Sequence, residues 1–253
     1  MDTSDEAYSG LFTVPTALPV DMADDEVHIW RAGLDLPPAC LLRMAQTLSP
    51  GERARAEELR AHRHRARFVA SHGILRAILG AYLTARPADF RFRSGPKGKP
   101  ALIGEPGWSP LQFSMSHSHL LGLYVVARDR RIGVDMERVR RGKAYSRLAN
   151  RYFGAAEIAQ LDATPAHLRE PVFLRHWTRK EAYVKAIGDG LPALPDSPDL
   201  TALSPEDRAG WHIFSIEVGA DYAAAAAVEG ARCKMRFLQW SRLDSSSATG
   251  GLA

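Results

Sequence analysis

The sequence predicts an α+β protein made of two similar halves, and three observations support this prediction. Residues 48–83 and 152–187 carry apolar side chains close to helical spacing. Each of these segments is followed by several short segments in which apolar and polar residues alternate, as they do in strands. The halves meet near residue 130, and 253 residues suffice for one sizeable domain or two small ones packed together.

The helix predicted in the N-terminal half has a well-defined start. Ser49 suits the cap position, Pro50 suits the first helical position, and Glu52 completes the spacing of a capping box. The helical pattern in the C-terminal half is interrupted near Thr164 and stops at Gly188, a residue type that commonly ends helices.

The other elements are strands, which alternation predicts at 27–34, 89–94, 111–118, 120–128, 131–139, 211–218, 221–228 and 232–240. The segment 221–228 is the weakest of these predictions, because its five consecutive alanines favour a helix by propensity. The expected organisation is a flexible arm (1–26), an N-terminal lobe (27–130), a C-terminal lobe (131–240) and a disordered tail (241–253).

The composition argues against several classes of protein. No apolar run is long enough to span a bilayer, and the acidic first residues lack the basic start of a secretory signal. Cys40 and Cys233 have no spacing typical of a metal site or a disulfide framework, so we expect a protein of the reducing cytoplasm. A net charge of +4 and a pI near 9.2 favour acidic partners such as phosphates, nucleic acid or an acidic protein surface.

A pair of carboxylates stands in the segment RIGVDMERV. Asp135 and Glu137 are two residues apart, so in a strand they project to the same face. Two neighbouring carboxylates repel unless a cation or a shared proton relieves them, and oxygen ligands of this kind suit Mg²⁺. A solvated face of an edge strand is the alternative explanation.

A row of hydroxyls stands in the segment FSMSHS. Ser114, Ser116 and Ser118 share one face of the predicted strand, and Met115 and His117 share the other. A histidine near a strand end is often a structural or surface residue, which is the alternative to a functional role.

Two further motifs offer cations. The turn GPKGKP places Lys99 beside Pro100 in a loop whose glycines allow close backbone approach, although a plain surface turn is the alternative. In WTRKEAYVK, Glu181 and Lys185 lie on the same helix face as Trp177, a side chain that usually points inward. The pair is therefore either a common helix-stabilising ion pair or part of a binding site.

Along the chain the four motifs follow one another as GKP, F-S-x-S-H-S, G-V-D-x-E and W-x-x-K-E-A-x-x-K. In this order, and over roughly half of the chain, they resemble those of the larger, two-lobed type of 4′-phosphopantetheinyl transferase. These enzymes move the phosphopantetheine arm of coenzyme A to a serine of an apo acyl or peptidyl carrier protein and release 3′,5′-ADP. The resemblance implies a monomer with two pseudo-symmetric lobes, each a small, mainly antiparallel sheet packed on a long helix. It also implies an active site in the cleft between the lobes.

The resemblance implies roles for individual residues. It implies ligands to Mg²⁺, or to Mn²⁺, at Asp135, Glu137 and Glu181. It implies contacts to coenzyme A at Arg55, Arg67, Lys99, Pro100, Ser116, His117, Asp135 and Lys185. Within this set, Arg67 matches a residue that grips the 3′-phosphate, and Ser116 and His117 line the pyrophosphate site. Glu157 occupies a position where the family often has an acid near the site.

The implied reaction is a phosphoryl-group transfer, in which positioning and charge neutralisation supply most of the catalysis. The expected catalytic residues are Glu181, Lys185 and His117. Lys185 and His117, together with Lys99, would offset the charge on the phosphates and on the departing nucleotide. Glu181, directly or through a bound water, is the preferred base for the carrier serine, and a water held by another carboxylate would serve as well.

The family's carrier proteins have acidic recognition surfaces, and a basic run offers a complementary one at Arg138, Arg140, Arg141, Lys143, Arg147 and Arg151. A solvated basic loop is the alternative explanation. The chain departs from the family pattern at Ser114-Met115, where Asn-Ile or Asn-Leu is common, and at His119, where a small residue is common. Neither departure falls on an implied metal ligand.

Two rival functions remain open at this point. One is a coenzyme A- or nucleotide-binding regulator that kept the fold and lost catalysis, although the metal acids and the lysine are all present. The other is a nucleic-acid-binding protein, suggested by the basic segment 53–67 and opposed by the small charge excess and the lack of a recognised module. The carriers served, from fatty-acid, polyketide or nonribosomal-peptide synthesis, are equally open.

Overall fold

The computed structural model describes residues 7–8, 10, 12–16, 20–95, 98–104, 110–140, 145–189, 198–201, 210–230 and 233–241. Its strands are β1 (Ala7–Tyr8), β2 (Glu26–Gly33), β3 (Phe92–Ser94), β4 (Pro100–Leu102), β5 (Leu111–Ser118), β6 (Leu121–Arg128), β7 (Ile132–Arg138), β8 (Trp211–Ile216), β9 (Tyr222–Glu229) and β10 (Lys234–Gln239). Its α-helices are α1 (Pro38–Thr47), α2 (Pro50–Glu58), α3 (His62–Leu83), α4 (Ser146–Tyr152), α5 (Ala155–Ala163) and α6 (Arg169–Ile187). The predicted α+β class is confirmed.

The described strands form two four-stranded sheets and one small hairpin. The first sheet has the order β10-β2-β6-β5, the second has the order β1-β8-β9-β7, and β3 pairs with β4. The pairs β10–β2 and β1–β8 are parallel, and the other pairs are antiparallel. Small, mainly antiparallel sheets are therefore confirmed.

The sheets and the two long helices form four layers. Ile74 and Ile78 of α3 join Trp30 and Tyr124 in the core on the outer face of the first sheet. The inner faces of the two sheets share a second core, in which side chains of β2 and β6 meet side chains of β7, β8 and β9. Helix α6 covers the outer face of the second sheet. Each long helix thus packs on its own sheet.

The alanine-rich strand β9 is a strand because of what packs on its two faces. Ala225 and Ala227 face α6 and contact Ala182 and Ala186, whereas Ala224 and Ala226 belong to the core between the sheets. Small side chains on the outer face let the helix approach closely. Tertiary packing therefore outweighs the helical propensity of alanine.

The terminal segments cross between the two halves. Strand β10, which sequence order assigns to the predicted C-terminal lobe, pairs with β2 in the first sheet. Strand β1 lies in the predicted flexible arm but pairs with β8 in the second sheet, and Thr13 bridges to Leu238 of β10. Val20 and Met22 are buried in the core under α3. Where the structure describes it, the arm is folded, and the predicted tail after residue 241 lies outside the described residues.

Some element boundaries differ from the prediction. The predicted helix over 48–83 is two helices, α2 and α3, and the guanidinium of Arg65 donates to the Leu59 carbonyl that the break leaves open. The capping box of Ser49 and Glu52 is present, and Gly188 ends α6 in the left-handed conformation, as predicted. None of the described helices combines the length and the apolar character that crossing a bilayer requires.

Gly133 of β7 is required because α6 passes directly over it. A Cβ at this position would overlap the Ala182 carbonyl oxygen and would lie 2.5 Å from Ala186 N. We expect Gly133→Ala to lower the free energy of unfolding by about 1–3 kcal/mol, because the helix must shift. Gly33→Ala is the matched control, since nothing lies within 4 Å of a Cβ there. Urea unfolding with equal stability of wild type and Gly133→Ala would contradict this reading of the packing.

Candidate active site

The edge strands β5 and β7 join the two sheets through serine side chains. The Oγ atoms of Ser114, Ser116 and Ser118 accept hydrogen bonds from the backbone N–H groups of Val134 (3.2 Å), Met136 (3.2 Å) and Arg138 (3.0 Å). We call this row of three hydrogen bonds the serine seam. A hydroxyl fits this task because it can accept one hydrogen bond and donate another at the same time. The seam explains the alternating serines of FSMSHS.

The seam also orients two of the predicted acids. The hydroxyl of Ser116 donates to Asp135 Oδ1 at 2.9 Å, and the hydroxyl of Ser118 donates to Glu137 Oε2 at 3.2 Å. Each of these serines therefore holds both the backbone and a carboxylate of β7. Ser116 was predicted to line a pyrophosphate site, and its observed contact is to Asp135.

Helix α6 brings the remaining acid and a lysine to the same place. Lys185 Nζ lies 2.6 Å from Asp135 Oδ1. Glu181 is one helical turn earlier and is buried near both acids of β7, whose charges act on its pKa. The close approach of α6 at Gly133 makes this convergence feasible. We call Asp135, Glu137 and Glu181 the site carboxylates.

Burial and the charge of Asp135 shift Glu181 and Glu137 toward their protonated forms. Burial, reinforced by the charge of Asp135, raises the pKa of Glu181 to about 7, although Lys185 opposes the shift. Burial and Asp135 likewise raise the pKa of Glu137. Such a cluster gains from a bound cation, because a cation can take the place of the proton.

The donor set fits a hard metal ion in its chemistry. Asp135 is 4% exposed, and its Oδ2 atom is buried with no hydrogen-bond partner in the described part of the chain. An orphaned carboxylate oxygen beside two further carboxylates is suited to Mg²⁺. In the described residues, however, no group of three or more His, Cys, Asp or Glu side chains is arranged to hold a metal ion. Lys185 supplies the counter-charge on Asp135 instead.

Trp177, which shares a face with Glu181 and Lys185 by spacing, packs among aromatic side chains. Its ring stacks on Phe173 at 5.9 Å and meets Tyr152 edge-on at 5.6 Å. The apolar part of this helix face is therefore covered by aromatic side chains, and the ionic part meets β7.

Glu157 and Lys180 form a buried ion pair that the sequence did not predict. Lys180 Nζ lies 3.0 Å from Glu157 Oε2, donates to Pro198 O at 2.7 Å, and is 0% exposed. Glu157 also accepts from Gly154 N–H as part of the capping box of α5. Glu157, expected to be an acid near the site, therefore holds α5 to α6. A lysine at a buried helix position was the signal that could have revealed the pair.

Lys99 reaches a different target from the one expected. Its Nζ donates to the backbone carbonyls of Ile132 (2.8 Å) and Ala186 (3.3 Å), which lie at the start of β7 and near the end of α6. Pro100 begins β4 and is exposed. In the described part of the chain, no hydrogen bond joins Lys99 to a site carboxylate.

Further basic side chains lie near the end of β5. Burial lowers the pKa of His117, and the nearby charges of His72, Lys185 and Arg67 lower it further. Arg67 on α3 is half-buried and faces the same region, whereas Arg55 on α2 is exposed and pairs with Glu58. The structure thus groups Arg67 and His117 with Lys185, and places Arg55 in a surface ion pair.

The predicted basic surface is described only in part. Arg138 is half-buried, and Arg140, Arg147 and Arg151 are exposed. Arg140 also anchors the chain through its backbone N–H, which donates to Glu170 Oε1 at 2.5 Å. Arg141 and Lys143 lie outside the described residues.

A cavity of about 1100 Å³ lies elsewhere on the second sheet. It is bounded by the start of α6, the preceding 3₁₀ turn Ala166–Leu168 and the β8–β9 turn. Its described lining does not include the site carboxylates or Lys185.

The chain is similar to several known transferases. Residues 131–228 match the model of the 4′-phosphopantetheinyl transferase superfamily, a range that contains all three site carboxylates and Lys185. The chain is 39% identical over 215 residues to the 4′-phosphopantetheinyl transferase HetI of Nostoc sp., which covers 83% of this chain and 90% of that protein. It is 34% identical over 144 residues to AcpT of Escherichia coli (strain K12), covering 57% of this chain and 67% of that protein. It is 29% identical over 142 residues to psf-1 of Bacillus pumilus, covering 55% of this chain and 58% of that protein. AcpT and psf-1 carry the same transferase name.

The Lys180–Glu157 pair predicts a large effect of Lys180→Met. This change leaves Glu157 buried without its cation, which is expected to lower the free energy of unfolding by about 3–5 kcal/mol. Adding Glu157→Gln to Lys180→Met should recover most of this loss, because no charge is then left unpaired. Urea unfolding of the single and double variants measures both values. A Lys180→Met protein as stable as wild type would show that the pair is not structural.

The raised pKa of Glu181 predicts a pH dependence of stability in the metal-free protein. Because Glu181 binds its proton more tightly in the folded state, the free energy of unfolding falls as the pH rises from 4.5 to about 7. The expected contribution is on the order of 3 kcal/mol. Burial lowers the pKa of His28, His72 and His117, which gives an opposite slope, so the comparison is with Glu181→Gln.

Glu181→Gln should remove the Glu181 contribution and leave the histidine slope in place. The measurement is urea unfolding in EDTA at several pH values for both proteins. Parallel curves for wild type and Glu181→Gln between pH 4.5 and 7 would contradict the assigned shift.

Proposed function

The chain belongs to the 4′-phosphopantetheinyl transferase family, and we propose that it transfers the 4′-phosphopantetheine arm of coenzyme A to a serine of an apo acyl or peptidyl carrier protein. The products are the holo carrier protein and 3′,5′-ADP. The observation that carries the proposal is the convergence of Asp135 with two further carboxylates and Lys185 at the serine seam. This constellation lies within the region that matches the family.

The site carboxylates are the proposed ligands of Mg²⁺, or of Mn²⁺ in its place. The unpartnered Oδ2 atom of Asp135 offers a first oxygen, and Glu137 and Glu181 offer others. When bound, the ion supplies Lewis-acid chemistry, drawing negative charge from the pyrophosphate of coenzyme A.

Lys185 is the proposed contact to a coenzyme A phosphate. Its ammonium group has three donors, and one is directed at Asp135 Oδ1. The other donors can serve a phosphate oxygen while Asp135 keeps the ammonium in place. Lys185 thus offsets charge that grows on the leaving group as the phosphorus–oxygen bond breaks.

Glu181 is the proposed base for the carrier serine. Glu181 is buried near both acids of β7, and its carboxylate can accept the proton of the serine directly or through a bound water. The serine oxygen attacks the phosphorus, its proton goes to the Glu181 carboxylate, and 3′,5′-ADP departs. His117 and the nearby Arg67 are the proposed contacts to the phosphates of the nucleotide.

The exposed arginines after β7 are the proposed docking surface for the carrier. Arg140, Arg147 and Arg151 present positive charge to solvent, which suits the acidic recognition surface of a carrier protein. We further propose that the protein acts as a monomer, since β7 and α6 of one chain supply all three site carboxylates. The proposed location is the cytoplasm.

Intact-protein mass spectrometry tests the proposal directly. An apo acyl or peptidyl carrier protein is incubated with this protein, coenzyme A and Mg²⁺. The expected result is a gain equal to one phosphopantetheine arm, which EDTA abolishes. Absence of the gain with several carriers of different pathways, despite coenzyme A binding, would favour a regulator that lost catalysis.

Asp135→Ala and Glu181→Ala should each reduce transfer by at least about 10³-fold, because each removes a metal ligand and Glu181→Ala also removes the base. Asp162→Ala, at an exposed carboxylate of α5, is the matched control and should transfer at the wild-type rate. Circular dichroism verifies that all three variants fold. Wild-type turnover by folded Asp135→Ala or Glu181→Ala would refute the assigned site.

A further inference from the structure

Lys99 joins two elements that carry the candidate site. It precedes β4 in the turn of the β3–β4 hairpin, and its side chain leaves that hairpin to reach the second sheet and α6. Its Nζ donates to Ile132 O at 2.8 Å and to Ala186 O at 3.3 Å. One ammonium group therefore bonds the first residue of β7 and the penultimate residue of α6.

The carbonyl of Ala186 belongs to the part of a helix that needs an outside partner. The last four carbonyls of an α-helix have no partner within the helix. At this end, the N–H groups of Gly188 and Asp189 both donate to Val184 O, so Lys99 is the observed donor to Ala186 O. A cation also complements the negative end of the helix dipole.

The two bonded carbonyls lie beside the residues of the site. Ala186 directly follows Lys185, and Ile132 is three residues before Asp135. Lys185 and Asp135 are themselves joined at 2.6 Å. Lys99 thus forms a second connection between β7 and α6, by bonding a backbone carbonyl of each. This connection lies next to the one that the side chains of Lys185 and Asp135 form.

Resting on the proposed function, we infer that Lys99 is a positioning residue, which holds the end of α6 against the start of β7 and so keeps Lys185 and Glu181 aligned with Asp135. In this role Lys99 contacts the protein itself, in place of the expected contact to the nucleotide. Two of the three ammonium donors are used on backbone carbonyls, and the stem of the side chain passes beside Gly188. Burial, with a smaller effect of Arg131, lowers the pKa of Lys99 to about 8, so it is still mainly a cation at neutral pH.

The kinetic test compares Lys99→Met with Arg93→Met. Arg93 is exposed on the same hairpin, so its variant controls for loss of a basic residue there. At saturating coenzyme A, Lys99→Met is expected to lower kcat about tenfold or more, because small displacements near the chemistry are costly. Its Kd for 3′,5′-ADP should stay within about twofold of wild type, and Lys99→Arg, which keeps a cationic donor, should recover most of kcat.

A double-mutant cycle separates alignment from a general loss of stability. If Lys99 acts through Lys185, Lys99→Met should cost little more once Lys185→Met is present, because the effects of coupled residues do not add. Additive losses would overturn the inference. An unchanged kcat with weaker binding of 3′,5′-ADP would also overturn it and would restore the nucleotide contact.

Hydrogen exchange provides a readout that does not need activity. Lys99→Met should speed amide exchange at residues 185–189 and 132–135 relative to Arg93→Met and wild type. This measurement decides the inference even if no carrier is modified, an outcome that would count against the proposed function alone. Equal exchange in all three proteins would overturn the positioning role. If Lys99→Met does not fold, Lys99→Gln takes its place in each measurement.

Discussion

Three serine hydroxyls on β5 hold the backbone of β7, and the position of two site carboxylates depends on them. Two edge strands that paired directly would form one continuous sheet. The serine seam instead inserts a side chain between the strands, so each sheet keeps its own helix and the inner faces still share a core. The spacing of two residues serves both needs, because two of the three hydroxyls that accept from β7 also donate to Asp135 and Glu137.

The second constraint is the short distance between α6 and the second sheet. Gly133 has no side chain that would separate β7 from the helix. Elsewhere in the contact, the small side chains of alanines on β9 and α6 keep the distance between helix and sheet short. At this distance Lys185 reaches Asp135, and Glu181 lies buried near both acids of β7. Three carboxylates therefore lie close together, and one lysine is bonded to Asp135. A divalent cation would offset this local excess of negative charge.

The sequence predicted the features that local rules determine. The capping box at Ser49, the helix end at Gly188 and the strand positions of Asp135 and Glu137 all follow from spacing and residue type. It did not predict contacts between distant segments, because periodicity carries no information about partners. Lys180 with Glu157, and Lys99 with the α6 terminus, are contacts of this kind. The crossing of the termini is another, since pairing of β10 with β2 depends on two segments about 200 residues apart.

We propose that Asp135, Glu137 and Glu181 together bind a divalent cation that meets the pyrophosphate of coenzyme A. Anomalous diffraction from crystals grown with coenzyme A and Mn²⁺ would locate this ion. The expected result is a single strong peak in contact with Asp135 and at least one of the glutamates, with the pyrophosphate beside it and Lys185 on a phosphate oxygen. Coenzyme A bound with its pyrophosphate away from these residues, or a peak that none of the three carboxylates touches, would refute the proposed site.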